Sequence, residues 1–209
     1  MTSRVVVFID YQNVYRRARG IFDLENLDHP AGQVNPNQVG LLLAKRIDTD
    51  CELKQVRVYR GLPSNNHQPK GYGAVRRQTS SWMKSGSPEV ILRPLHYPAN
   101  WPNSRKVDGE PREKGIDVEL AVDFVRMAIS GDFDYGIIFS MDNDLKPALE
   151  YIGTAFPNIG LAVASWWPSG EINKNSRPST ISIPNIKLKD IRLNLVDFES
   201  VRDDTDYSH

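Results

Sequence analysis

The sequence predicts an α/β fold built on a mostly parallel sheet. Apolar, strand-like runs alternate with helix-like runs along the chain, the pattern of strands joined by right-handed crossovers. The runs around Val5 and Ile137 are apolar without a polar alternate, as in strands covered on both faces. Turn residues stand at the ends of most of these runs.

The elements follow in order. Arg4–Ile9 is β-branched and aromatic, a first strand. Asn35–Ile47 reads as a helix with an Asn-Pro start. Leu53–Leu62 places Val56, Val58 and Leu62 among polar residues, a second strand. Pro69–Gly86 is a helix ended by glycine, and Glu89–Tyr97 a third strand. Pro98–Glu113 is a loop rich in Pro, Asn and Gly. Gly115–Ser130 is a helix closed by Gly131, Tyr135–Ser140 a fourth strand, Asp144–Ile152 a short helix and Ile159–Trp167 a fifth strand. One domain is expected over 1–167. Residues 168–209 are expected to extend it with a long loop and an edge strand, and the polar tail from about residue 203 to be mobile.

Bulk properties set limits. A chain of 209 residues with 40% apolar and 25% charged content has the makings of an ordinary globular core. It contains no run of about 18 apolar residues, so no membrane partner is expected. The N-terminus runs straight into a strand and does not read as a secretory signal. A lone cysteine, Cys51, excludes an internal disulfide and a cysteine-based zinc site, and suits a cytoplasmic protein. Net charge is zero but uneven: 16 Lys and Arg stand against 8 Asp and Glu up to Lys106, and 10 against 18 thereafter. A cationic half beside an anionic half suits a protein that steers a polyanion to an acidic site, unless the two halves intermix in the fold.

In an open parallel sheet, ligands bind beyond the carboxyl ends of the strands. Asp10 ends the first strand in "RVVVFIDYQNVY", with Asn13 three residues on. Ser140, Asp142 and Asp144 follow the fourth strand in "FSMDND", and Asp117 opens the helix after Lys114-Gly115. Each acid has a simpler reading as a helix cap or turn residue. Together they bring carboxylates from three segments to one rim, where a hard cation would offset their repulsion. Magnesium or manganese suits such oxygen ligands. The helix "IDVELAVDFVRMAI" is apolar nearly all round and is expected to be buried. Asp123 in its middle therefore needs a partner, with Arg126, Arg4 or a backbone amide as candidates. Asp117 and Asp123 lie roughly 120° apart around the axis. Asp117 is the better ligand, and Asp123 a supporting or structural acid.

The blocks "FIDYQN", "KGIDVELAVD" and "SMDNDLKPAL" resemble, in order and spacing, the signature blocks of NYN-domain proteins, the LabA-like branch of the PIN-like nuclease superfamily. The resemblance spans about Arg4 to Val163. It implies a three-layer α/β/α PIN-like (Rossmann-like) sandwich, an acidic pocket, a divalent metal and ribonuclease activity. Carried over, Asp10, Asn13, Asp117, Asp142 and Asp144 are the catalytic set. Asp10, Asp117, Asp142 and Asp144 bind Mg²⁺ or Mn²⁺, and Ser140, Lys114 and Asp123 support them. The chain departs from the common last block at Asn143 and Leu145, where a small residue and an aromatic are usual.

The expected reaction is metal-dependent phosphodiester hydrolysis, most readily of RNA. Arg16, Arg17, Arg19, Lys70, Arg76 and Arg77 are the expected nucleic-acid contacts, through salt-dependent phosphate binding. Tyr11, Tyr15, Tyr72 and Trp101 are candidate stacking residues. Two other readings compete. A non-catalytic nucleic-acid-binding or regulatory assembly module would keep a metal-binding acidic site without turnover. A haloacid-dehalogenase-type phosphatase also begins with a strand-end Asp, but needs a second Asp where this chain has Gln12. A homo-oligomer is left open.

Overall fold

The computed structural model describes residues 2–84, 86–103, 109–168 and 180–209. Six strands form one sheet: β1 (Ser3–Asp10), β2 (Cys51–Leu62), β3 (Pro88–Pro94), β4 (Tyr135–Phe139), β5 (Gly160–Trp166) and β6 (Leu188–Leu193). Their order is β3-β2-β1-β4-β5-β6, and every neighbouring pair is parallel. The helices are α1 (Tyr11–Ile21), α2 (Pro36–Ile47), α3 (Pro69–Lys84), α4 (Ile116–Ile129), α5 (Lys146–Ala155) and α6 (Leu195–Val201). This is the expected three-layer α/β/α sandwich.

The layers follow from the pleat. Successive strand side chains point to opposite faces. Val5, Val7 and Ile9 of β1 face a core shared with Val14 of α1, Leu43 of α2, Trp82 of α3 and Phe198 of α6. Val6 and Phe8 face the other core, with Leu120 and Phe124 of α4 and Leu149 of α5. All five of these β1 side chains are fully buried. That is why the sequence shows no alternation there. β1 also takes a one-residue register shift against β2, between Val5 and Val6.

Three elements differ from expectation. α1 is a full helix that the apolar pattern did not delimit. It buries Tyr11, Val14 and Ala18 on one side, and its remaining surface carries Gln, Asn and Arg. α4 is not buried all round. Val118 and Val122 are each 60% exposed and Ile129 53%, so one apolar face has no cover among the described residues. The C-terminal tail, expected to be mobile, is held against α3. Asp203 is buried and accepts from the Trp82 indole N–H at 3.1 Å and the Tyr207 hydroxyl at 3.0 Å, and Arg77 donates to the Tyr207 carbonyl at 2.7 Å. The polar composition of the tail hid this because a single buried acid anchors it. Within the expected loop 98–113, residues 104–108 lie outside the described residues. Past them the loop returns to the sheet, where His96 pairs with Arg112.

Among the described residues, no helix is long and apolar enough to cross a membrane.

Candidate active site

The chain reverses its direction of winding between β1 and β4, so the crossovers leave a crevice at their carboxyl ends. Asp10 stands there. It is only 7% exposed and caps α1 by accepting from the Asn13 amide at 3.2 Å. Its second oxygen accepts from the Ser140 hydroxyl, at 3.0 Å, across the crevice. Ser140 Oγ in turn accepts from the Asp142 amide at 3.1 Å, and Asn13 Oδ1 from the Met141 amide at 3.2 Å. Five residues from two strand ends are thus locked into one frame. Asp142 caps the short 3₁₀ turn Asn143–Leu145 by accepting from the Asp144 amide at 3.0 Å.

The electrostatics are strained. Burial pushes the Asp10 carboxyl up from 3.8 to about 6, against the lowering effect of its two hydrogen bonds. Glu113 and Asp142 add repulsion. Burial also raises Glu113, and Asp117 adds to that shift. Glu113 was not among the acids expected from the sequence. It reaches the rim because the loop after β3 returns there, and its carboxylate accepts from the Gly61 amide at the end of β2. Gly61 is needed for that approach, since a Cβ would lie 2.8 Å from the Glu113 side chain and 2.3 Å from Leu95. The one available signal was its place next to the Lys114-Gly115-Ile116-Asp117 block.

A cleft of about 680 Å³ opens on this frame, lined by Asp10, Asn13, Asp142, Glu113, Arg16 and Arg17. Asp117 and Asp144 line the adjacent groove along α4 instead. The acids therefore divide between two depressions whose linings have no residue in common. Among the described residues, no three His, Cys, Asp or Glu side chains form a ready-made cation cage.

The expected supporting and basic residues divide. Lys114 is exposed beside the rim, ahead of Gly115 in its left-handed conformation. Asp123 is turned away. It accepts from Arg57 at 2.6 Å, Tyr59 at 2.9 Å and Arg126 at 3.1 Å, which makes it a packing anchor under β2. Of its three candidate partners, Arg126 is present, whereas Arg4 pairs with Asp134 at 2.9 Å. Arg19 donates to the carbonyls of Glu25, Leu27 and Asp28, so it braces the loop after α1 rather than facing the cleft. Lys70 lines a second pocket beyond Arg16. Arg76 is exposed on α3, and Arg77 holds the tail. Tyr11 is buried against Trp82, and Trp101 packs on Tyr97 and His67, so neither is a free stacking platform.

A six-stranded parallel sheet between two helical layers, with a buried carboxylate at its switch point, defines an α/β protein of PIN-like architecture. The NYN domain family model matches residues 4–156, and the chain belongs to that family. The family falls within the PIN-like nuclease superfamily, whose NYN members are generally divalent-metal dependent. A protein of unknown function from Vibrio parahaemolyticus RIMD 2210633 has a similar solved structure. It is 19% identical, over 79% of this chain and 81% of that one, with a TM-score of 0.48. No protein of curated function matches.

Proposed function

We propose that this chain is a divalent-metal-dependent nuclease that hydrolyses phosphodiester bonds in RNA. The observation that carries the reading is Asp10. A carboxylate buried at the switch point, crowded by Asp142 and Glu113, is costly without a positive charge to meet it. The donor set fits Mg²⁺ or Mn²⁺. It is all oxygen, and such ions keep several waters and need only one or two direct carboxylates. Asp10, Asp142, Asp117 and Asp144 would hold the cation, some through water, and Glu113 joins them. Once bound, the cation supplies charge neutralisation and an acidified water.

The chain's own groups do the rest. Asn13 and Ser140 fix the carboxylate rotamers by joining the two strand ends. Arg16 and Arg17 edge the cleft and would take the flanking phosphates. The uneven charge supports a polyanionic substrate, and the lone Cys51 a cytoplasmic setting.

The test is cleavage of end-labelled single-stranded RNA by wild type and Asp10→Asn with Mg²⁺, Mn²⁺ or EDTA. Metal-dependent cuts that vanish in Asp10→Asn are expected. Cuts that persist in the mutant would remove this site from the reaction. The dispersed acids favour one alternative, a binding module that retains RNA without cutting it. RNA retention with no turnover in either metal would establish that.

A further inference from the structure

A second pocket, of about 580 Å³, adjoins the acidic cleft and shares Gln12, Arg16 and Glu113 with it. Its floor carries Arg60, which follows Tyr59 near the end of β2. The Arg60 guanidinium lies 4.8 Å from the Tyr11 ring and 5.6 Å from Trp82, and one nitrogen donates to the Gln78 side-chain oxygen. Among the described residues it has no other hydrogen bond and no carboxylate partner. Desolvation lowers its pKa, and Tyr11, then Glu113 and Tyr15, oppose that.

Arg60 is half-buried, and of the five donors of its guanidinium one is placed on a protein acceptor. Here the group lies over the Tyr11 and Trp82 rings, and most of those donors have no protein partner among the described residues. Gln78 is fixed from behind by Gln33, which itself donates to the Thr205 carbonyl at 3.3 Å. Two more donors line the same pocket. Gln68 accepts from the Tyr97 hydroxyl at 2.7 Å, which leaves its amide NH₂ uncommitted among the described residues, and Lys70 is exposed at the rim. The anions in the lining are Glu113, already bonded to the Gly61 amide, and Asp206 of the tail. Uncommitted donors thus converge where acceptors are few.

We infer that this pocket is a phosphate-recognising nucleotide subsite, in which Arg60, Gln68 and Lys70 hold the phosphate of the nucleotide next to the bond placed over Asp10. The inference rests on the nuclease reading only for the neighbour of that nucleotide. The pocket is larger than a lone phosphate needs, and its wall is continuous with the cleft through Arg16. A charge-assisted guanidinium–phosphate bond would supply the missing acid partner.

The test is calorimetric titration with uridine 5′-monophosphate in EDTA, where no cleavage occurs. Wild type, Arg60→Met, Lys70→Ala and Asp10→Asn are compared, with inorganic phosphate as a second titrant. Binding is expected in wild type and Asp10→Asn, weaker by about 10-fold or more in Arg60→Met and by a smaller factor in Lys70→Ala. Melting is recorded for each variant alongside, because Arg60 also stacks on Tyr11 and Trp82 and donates to Gln78. Lys70 is exposed, so its variant reports even if Arg60→Met folds poorly. Absence of nucleotide binding, or equal affinity in both variants, would overturn the subsite. Inorganic phosphate binding as tightly as the nucleotide would overturn the nucleotide reading. A lower melting temperature with unchanged affinity would make Arg60 structural. Failure of RNA cleavage leaves this result intact, and failure here leaves the cleavage result intact.

Discussion

Asp10 is held in a state that water would not choose. Below about pH 4 its carboxyl is protonated whether the chain is folded or not. Between about 4 and 6 the unfolded chain releases that proton while the folded one keeps it, so stability falls as pH rises. Above about 6 both are ionised and the loss is complete, about 3 kcal/mol in the absence of a cation. Asp10→Asn is therefore expected to abolish cleavage and yet melt several degrees higher in EDTA at pH 7.5, with a flatter stability profile between pH 4 and 6. A mutant that melts lower would contradict this. Millimolar Mn²⁺ should raise the melting temperature of wild type and not of Asp10→Asn, read by differential scanning fluorimetry. Glu113→Gln is expected to slow cleavage roughly 10- to 100-fold without unfolding the protein. Asp10, Asn13, Ser140 and Asp142 were legible because a strand end fixes where a residue lands. Glu113 was not, since a loop of uncertain path delivers it. Nor was Asp123's main partner, because Arg57 lies 66 residues away in sequence.

At the scale of elements, α4 is the instructive case. Its apolar residues cover nearly the whole circumference, and periodicity alone cannot say which of them face the sheet. The structure sends Leu120 and Phe124 inward, and Val118, Val122 and Ile129 outward. Phe124 meets the rings of Phe8 at 5.1 Å and Phe133 at 5.7 Å. Phe124→Ala is expected to cost about 3–5 kcal/mol, whereas Val122→Lys should stay within about 0.5 kcal/mol. Urea midpoints at constant slope compare them directly. Equal losses would place both faces of α4 in the core. α1 poses the opposite problem. Its apolar residues Tyr11, Val14 and Ala18 make a narrow stripe among arginines, too sparse to mark the helix before the sheet is known. The strands were clearer, since full burial on two faces leaves a run with no polar break.

For the whole molecule, the strand order keeps the two halves of the chain apart within the sheet. The sheet divides at the switch point. β1, β2 and β3 come from the cationic half of the chain, and β4, β5 and β6 from the anionic half. The sequence left open whether those halves intermix; their strands do not, but their charges do, since Arg4 pairs with Asp134, Arg46 with Asp197, Arg57 with Asp123 and Arg93 with Glu119. The candidate site sits on their seam. RNA affinity is accordingly expected to fall steeply with salt. Arg16→Ala and Arg17→Ala should each flatten the log–log slope by about 0.7, measured by filter binding to single-stranded RNA. Unchanged slopes would move the RNA path elsewhere. The seam also joins parts of unequal tenacity. β1 is bonded to a neighbour on each side and sealed on each face, so its amides are expected to exchange with solvent only when the whole molecule opens. Glu113 hangs on a returning loop pinned by the His96–Arg112 bridge and one bond to Gly61. The site thus keeps two clocks, a slow one for Asp10 and a fast one for Glu113. On gentle warming any RNA cleavage is expected to stop while the sheet is still intact, and to recover on cooling.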